Sequence, residues 1–322
     1  MVKRVTIVDI AKEANVSVSA VSKALMDAPD ISKKTKELIK STAEQLGYVP
    51  NISAASLKNG NSKMIAVLCD SLLNPYYYEM IYYLEIELSK KNYIVAVYRS
   101  NEFDLKMFNN ILSRNFEGVI SFISPNAEVE TELKKHSFPA VILGRKAQNA
   151  SYVCVDDYKV GNLAGDFFVK RGFKKTLYVG EIENLDITQI RFEGYKDALS
   201  KNNLVAKGYF KTKDHSITEL LEEAYSSNSD LIDCEGIFCF SDVIAYEVMR
   251  FLNKIGRQDV VIVGVDNIHS EMPLPFHIYS IGVNKEKIID RAIKILLDNI
   301  NGINTKLIRL TEEVSLTEWF NF

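Results

Sequence analysis

A short run near the start of the chain has the side chains that DNA recognition requires. Small residues and one cation share the outer face of a predicted helix: Val18, Ser19, Ser22 and Lys23. Such a face fits the major groove, where polar groups reach base edges and phosphates and an apolar group such as Val18 contacts a thymine methyl. The spacing therefore predicts a helix surface that reads double-stranded DNA.

A second set of charged and aromatic residues lies at the ends of predicted strands or the starts of helices. Its members are Tyr76, Tyr77, Arg145, Arg191, Asp242 and Asp266. Ligands of doubly wound sheets bind beyond the carboxyl ends of the strands. A carboxylate or guanidinium there serves two hydroxyl groups at once, and an aromatic ring stacks on a ring. This set predicts a site for a small polyhydroxylated ligand.

Local signals predict the helices that hold the first set. Thr6 and Asp9 form a capping box that starts one helix, and Asn15 suits the left-handed turn after it. Ser17 is a good N-cap for the DNA-reading helix. The predicted inward face of that helix consists of Val21, Ala24 and Leu25. Two short helices joined by a tight turn indicate a helix-turn-helix.

A third helix completes an all-α head that we assign to residues 1–50. Ser32 caps this helix, and Gly47 and Pro50 end it. Its predicted inner face consists of Leu38, Ile39, Thr42 and Leu46. Residues 51–63 follow as a hinge helix and linker, and so short a helix is not stable alone in water. We expect it to order only on DNA, beside a second copy of the chain.

The remaining residues, 64–322, alternate short apolar runs with amphipathic helices. This alternation predicts parallel sheets covered on both faces, and the length allows two doubly wound lobes around a cleft. The first predicted lobe takes in residues 64–156 and 283–301. The second takes in residues 157–280 and 303–322. The expected fold is thus a helix-turn-helix head on a two-lobed α/β core.

The charge distribution agrees with a head that seeks phosphates. Residues 1–63 hold ten Lys or Arg and six Asp or Glu, a net charge of +4. The whole chain carries −3, so residues 64–322 carry −7. A basic head on an acidic body is typical of a nucleic-acid-binding module attached to a globular core.

The head resembles that of the lactose/galactose-repressor (LacI/GalR) family of bacterial transcription regulators. The family pattern T-I-x-D-V-A-x-x-A-G-V-S-x-x-T-V-S-R, then L-G-Y-x-P-N and A-x-x-L, is closely matched. Asn15 replaces the turn glycine, and Ala20 replaces a threonine. Lys23 replaces a frequent base-reading arginine and lacks its two-pronged guanidinium, so readout there is weakened or moved to another base.

The resemblance implies which residues meet an operator. Val18 and Ser19 occupy the positions that choose the operator, and Leu57 is the wedge that opens the minor groove, with Lys58 beside it. Further DNA contacts are implied at Thr6, Ser17, Ala20, Ser22, Lys23 and Asn51. A single recognition helix reads few base pairs, so we expect a homodimer on a pseudo-palindromic operator.

The core resembles the periplasmic-binding-protein-like core of the same family. Asn74-Pro75-Tyr76-Tyr77 and Arg191-Phe192-Glu193-Gly194-Tyr195 match its signposts, and Val155-Asp156-Asp157 adds Asp156 to the expected ligand set. The resemblance implies an effector between the lobes, a sugar or sugar phosphate. Ser241 replaces an asparagine that helps to hold such ligands, so a purine stays open as the alternative effector. A phosphoprotein co-regulator is a further alternative.

Other classes of function lack their motifs. No phosphate-binding loop, dinucleotide fingerprint or nucleophile elbow occurs, which argues against an enzyme of sugar metabolism and against a cofactor. Four scattered His and no C-x-x-C give no metal site, and the four Cys are expected to be buried thiols. No signal peptide or membrane span is visible, so a secreted sugar-binding module is disfavoured and a cytoplasmic location is expected.

Overall fold

A computed structural model gives the fold. It describes the chain over residues 5–49, 61–181, 185–212, 216–227, 230–268, 278–282, 284–303 and 306–318. The chain divides into two compact units, Met1–Ser62 and Lys63–Phe322. We call them the head and the core.

The head contains the three predicted helices. They are α1 (Ile7–Glu13), α2 (Val18–Leu25) and α3 (Lys33–Gln45). The backbone N–H and hydroxyl of Thr6 donate to Asp9 at 2.8 and 2.7 Å, which is part of the predicted capping box. Asn15 has φ of 51° and Gly47 has φ of 67°, so both occupy the left-handed conformation expected of them.

The centre of the head is a small apolar cluster. Its buried members are Ile10, Ala11, Val21, Ala24, Ile39 and Ala43. One predicted core residue is wrong: Leu38 is 49% exposed. In its place Ala43 points inward, beside the buried Thr42. The apolar stripe of α3 is therefore rotated by part of a turn from the one predicted.

The first lobe of the core is built on a six-stranded parallel sheet. Its strands are β1 (Met64–Cys69), β2 (Ile94–Arg99), β3 (Gly118–Ser121), β4 (Ala140–Leu143), β5 (Ser151–Val155) and β11 (Arg309–Glu312). Their order across the sheet is β11-β5-β4-β3-β1-β2. Apolar clusters lie on both faces. The helices are α4 (Pro75–Ser89), α5 (Leu105–Ser113), α6 (Ala127–His136) and α12 (Lys285–Ile300).

The second lobe is also built on a six-stranded sheet. Its strands are β6 (Thr176–Glu181), β7 (Lys207–Lys211), β8 (Gly236–Cys239), β9 (Val261–Val265), β10 (Tyr279–Gly282) and β12 (Ser315–Glu318). Their order across the sheet is β12-β10-β9-β8-β6-β7. Only the edge pair β10–β12 of this sheet is antiparallel. The helices are α7 (Asp157–Lys170), α8 (Leu185–Ser200), α9 (Ile217–Ser227), α10 (Asp230–Asp233) and α11 (Asp242–Lys254).

The chain crosses between the lobes near residues 155–157, 282–285 and 312–315. The third crossing corrects the predicted boundary, which placed all of 303–322 in the second lobe. Arg309–Glu312 instead pairs with Tyr152–Val155 in the first sheet. Without this pairing β5 would be the edge of the sheet, with unpaired backbone N–H and C=O groups. Arg309–Glu312 pairs with those groups, a contact that becomes visible only once the sheet is assembled.

Candidate functional site

The exposed face of α2 carries most of the residues expected to meet DNA. Ser17, Val18, Ser19 and Lys23 are exposed, and so is Thr6 at the start of α1. The N–H of Ala20 donates to Ser17 Oγ at 3.1 Å, which fixes the first turn of the helix. Ala20 and Ser22 are half-buried, whereas Val21 and Ala24 anchor the opposite face. The small side chains allow close approach to a groove.

Lys23 already has a partner within the head. Its ammonium group donates to the carboxylate of Asp30, and this hydrogen bond lowers the pKa of Asp30. The side chains of Lys23 and Asp30 are 46% and 53% exposed, so water screens the pair and it holds Lys23 weakly. Lys23 lies on the exposed face of α2. Because its bond to Asp30 is weak, it can leave Asp30 and bind a base or a phosphate instead.

Three of the residues expected to contact DNA belong to the hinge. They are Asn51, Leu57 and Lys58, and all three lie outside the described residues.

A cavity of about 710 Å³ lies between the two lobes of the core. The first lobe contributes Tyr76, Tyr77 and Arg145, and the second contributes Arg191 and Asp266. These five belong to the predicted ligand set. Four of them follow strands or begin a helix, whereas Arg191, expected at a helix start, lies within α8. The cavity has the size of a small-molecule site.

Three aromatic rings form one wall of the cavity. The ring centroids of Tyr76 and Tyr77 are 5.5 Å apart, and those of Tyr77 and Phe122 are 5.3 Å apart, both edge to face. Burial raises the pKa of both tyrosines, so their hydroxyls stay protonated and available as donors. This wall offers an apolar surface with polar tips, which suits the face of a sugar or of a planar base.

Arg191 is a charged residue of the cavity that is held on several sides. Its Nε donates to Asp157 Oδ1 at 2.9 Å, its Nη1 donates to the carbonyl of Phe240, and its guanidinium lies 4.7 Å from the centre of the Phe240 ring. Burial lowers the pKa of Arg191, but Asp157, Asp266 and Tyr178 raise it, and the net pKa lies above its ordinary value, so the group stays a cation. A cation fixed on several sides is oriented before any ligand arrives.

Two glycines allow α7 and α8 to bring Arg191 and Asp157 together. A Cβ on Gly161 would lie 1.8 Å from the carbonyl oxygen of Arg191, and one on Gly194 would lie 2.0 Å from that of Tyr158. Any side chain at either glycine would force the helices apart. The glycines thus set the backbone spacing that the ion pair requires.

Asp266 lies at the turn after β9 with φ of 101°, a conformation that costs energy for a residue with a side chain. Its N–H donates to the carbonyl of Ile281 at 3.0 Å. Burial raises the pKa of Asp266, while Arg191 and Lys285 lower it. The turn therefore holds a carboxyl group in the cavity, near two cations.

Two residues of the predicted ligand set do not line the cavity. Asp242 is fully buried, and its carboxylate accepts from Ser280 Oγ at 2.8 and 2.9 Å and from the N–H of Ile268 at 3.0 Å. Asp156 is the exposed N-cap of α7, with a bond from the N–H of Lys159. The neighbours Ser241 and Asp157 line the cavity instead.

The cavity also contains charged residues that sequence reasoning missed. They are Asp70, Arg99, Glu181, Lys211 and Glu247. Arg99, Glu181 and Lys211 are the last residues of β2, β6 and β7. The rule that ligands bind beyond strand ends would have found Arg99 and Glu181. Because β7 was not predicted, Lys211 had no strand end to mark it.

Metal-binding clusters and membrane-spanning helices are absent from the part of the chain that the structure describes. No group of three or more His, Cys, Asp or Glu side chains there is placed to hold a metal ion. No described helix combines the length and the apolar character needed to cross a membrane. The four cysteines are buried, as expected, and burial raises the pKa of each thiol.

Known proteins share both parts of this architecture. Residues 6–51 match the family described as bacterial regulatory proteins, lacI family, and residues 166–318 match the periplasmic binding protein-like domain. The HTH-type transcriptional regulator MalR of Clostridium butyricum is 26% identical over 97% of this chain and 98% of its own.

Solved structures show the same fold at lower identity. The lac repressor dimer bound to operator and the anti-inducer ONPF is similar with a TM-score of 0.79, 20% identity and 98% coverage of both chains. A LacI-type regulator of Alkaliphilus metalliredigens complexed with D-xylulofuranose has a TM-score of 0.68 and 24% identity, over 80% of this chain and 97% of its own. This chain therefore combines a lacI-family helix-turn-helix head with a periplasmic-binding-protein-like core, an architecture that it shares with HTH-type transcriptional regulators such as MalR.

Proposed function

We propose that this protein is a sequence-specific repressor whose affinity for its operator is set by a small carbohydrate effector. The observation that carries the proposal is the exposed face of α2, where Ser17, Val18, Ser19 and Lys23 are presented on a basic head. Such a face reads bases in the major groove. We place its action in the cytoplasm, where the operator DNA is.

The residues that line the cavity suit a ligand rich in hydroxyl groups. Arg191 and Asp266 offer a fixed guanidinium and a carboxyl group, and Tyr76 and Tyr77 offer rings and phenolic hydroxyls. Hydroxyl groups both donate and accept, so they pair with groups of both kinds. A similar regulator was crystallised with a sugar, D-xylulofuranose. The aromatic wall would also stack on a purine, which is the second candidate.

We further propose a homodimer in which the effector changes the angle between the lobes and so the spacing of the two hinges. Residues 1–50 would bind the half-site, 51–63 would form the hinge, and 64–322 would bind the effector and the second copy. Effector and operator are then coupled by one free energy, about 1–3 kcal/mol in typical cases, and each must affect the other equally.

Selection of bound DNA from a random pool tests the DNA part with the full chain. We expect a pseudo-palindrome. The variant Ser19→Glu places a carboxylate on the exposed face of α2 and should abolish retardation of the selected DNA. The matched variant Ser41→Glu places the same charge on the exposed side of α3 and should leave binding nearly intact. Equal behaviour of the two variants would refute the assignment of α2.

Calorimetry tests the effector part with named probes. We would titrate maltose, D-ribose, fructose 1-phosphate and hypoxanthine in turn, and measure affinity for the selected DNA with and without each. A carbohydrate that binds and changes DNA affinity supports the proposal, whereas a response to hypoxanthine alone selects the purine reading. Binding that survives unchanged in Arg191→Ala would place the ligand outside this cavity.

A further inference from the structure

A buried lysine at the second crossing between the lobes makes contacts to both of them. Lys285 is the first residue of α12, a helix of the first lobe, and its side chain is 8% exposed. Its ammonium group donates to the carboxylate of Glu79 on α4, which is also buried. The same ammonium donates to the carbonyl oxygen of Asn267 at 3.0 Å, in the second lobe.

The contact to Asn267 reaches the cavity through one peptide. Asn267 follows Asp266, which lines the cavity, and both residues have positive φ, 101° for Asp266 and 53° for Asn267. Within the second lobe three backbone N–H groups hold the turn: that of Asp266 donates to the carbonyl of Ile281 at 3.0 Å, that of Asn267 donates to Ser280 Oγ at 3.0 Å, and that of Ile268 donates to Asp242. Lys285 adds a hydrogen bond from the first lobe, to the carbonyl oxygen of Asn267.

The contact to Glu79 reaches the cavity from the other side. Glu79 is on α4, three residues after Tyr76 and two after Tyr77, which form the aromatic wall with Phe122. A rigid helix therefore links the carboxylate that Lys285 binds to the rings that line the cavity. Lys285 thus joins the aromatic wall of the first lobe to the carboxyl group of the second.

A buried ammonium group loses its hydration and must find its acceptors within the protein. Here the acceptors come from different lobes, so a shift of the Asp266–Asn267 turn away from α4 would deprive the ammonium of one of them. Because of that loss, the free-energy cost of moving the Asp266–Asn267 turn depends on the side chain of Lys285. The lysine therefore limits how far the turn can move from α4.

We propose that Lys285 is a positioning residue that fixes the Asp266–Asn267 turn of the second lobe against α4 of the first, and so sets the affinity of the cavity for its ligand. The inference rests on the proposed function of the cavity as an effector site. Lys285 itself need not touch the ligand, because it acts through the backbone of Asn267.

Amide hydrogen exchange of the full chain without ligand tests the positioning step. Lys285→Met should speed exchange of the amides of 266–268 at least tenfold relative to wild type, while those of β8 keep their rates. Lys287→Met is the matched control. Lys287 lies on the same helix and pairs with the buried Glu312 at 3.1 Å, so its loss should leave 266–268 unchanged. Unaltered exchange in Lys285→Met would overturn the proposal.

A second variant separates positioning from folding. Lys285→Met leaves the Glu79 carboxylate buried without this cation, whereas the double variant Glu79→Met/Lys285→Met removes both charges and is expected to fold. The double variant should still speed exchange at 266–268, and Lys285→Arg should restore most of the protection. Protection at the wild-type level in the double variant would show that Lys285 does not position the turn.

Calorimetry with the same four probes then tests the consequence for binding. The probe that binds wild type should bind the double variant at least tenfold more weakly and Lys287→Met equally well. Equal affinity in the double variant would refute control of the cavity by Lys285. If none of the four binds wild type, the effector assignment is what fails, and the exchange rates still decide whether Lys285 holds the turn.

Discussion

The head and the cavity handle charged side chains in opposite ways. On the head, Lys23 is about half exposed and its partner Asp30 is equally open to water. In the cavity, Arg191 is 7% exposed and held by Asp157 and Phe240. The first arrangement keeps a cation available to exchange partners, and the second keeps it in a single orientation.

This difference follows from what each surface binds. DNA presents many phosphates and base edges to an open surface, so a screened cation loses little when it changes partner. A small ligand offers few contacts, so each group must be oriented in advance to contribute fully. The comparison predicts that changes in the cavity cost far more stability than changes on the DNA-reading face.

The largest expected effect is that of Arg191→Ala. It leaves the Asp157 carboxylate without its buried partner, and removing one member of a buried pair costs about 3–5 kcal/mol. Urea unfolding of the core, followed by circular dichroism, would measure this loss. Arg171→Ala is the control, because the exposed Arg171 stacks on Phe167 and Tyr279 at the surface. Similar losses in both variants would contradict the comparison.

Within the head, a buried and an exposed apolar residue are neighbours in sequence. Ile39→Ala should destabilise the head by about 2–5 kcal/mol, since Ile39 is fully buried in its cluster. Leu38→Ala should cost much less, because Leu38 is half exposed. Amide exchange of α1 and α3 in the full chain would measure both. A loss for Leu38→Ala as large as that for Ile39→Ala would contradict the exposed placement of Leu38.

Lys23→Ala should leave the stability of the head nearly unchanged and weaken operator binding. The expected loss is about 1–3 kcal/mol on the operator alone if Lys23 reads a base. A phosphate contact would instead weaken all sequences alike and reduce the salt slope by about one. Retardation assays on operator and random DNA at several salt concentrations distinguish the two, with the exposed Lys34→Ala on α3 as control.

A smaller effect concerns the pH dependence of core stability. Burial raises the pKa of Asp242 well above its ordinary value of 3.8, so the folded state binds this proton more tightly than the unfolded state. Protonated Asp242 therefore adds to the free energy of unfolding at low pH. This contribution is lost as the pH rises above about 3.8, by about 1.4 kcal/mol for each unit by which the folded-state pKa exceeds the unfolded-state pKa. Asp242→Asn removes this dependence. A stability difference between the two proteins that stays constant from pH 4 to 7 would contradict the assignment.

Local patterns predicted the parts of the molecule that depend on neighbours in sequence. The capping box of Thr6 and Asp9, the turn at Asn15 and the exposed face of α2 all involve residues a few positions apart. The alternation of strands and helices likewise predicted two doubly wound lobes and the strand ends that carry Tyr76, Tyr77 and Asp266. Residue type and spacing are enough for these features, since helix and strand periods act over short distances.

Features that depend on distant partners were decided only by the tertiary structure. Asp242 points away from the cavity because Ser280, 38 positions later, supplies its hydrogen bond, and Asp157 rather than Asp156 meets Arg191. Lys285 and Glu79 are 206 positions apart and yet share one buried contact. A buried charge goes where its partners are, and long-range packing alone fixes where they lie.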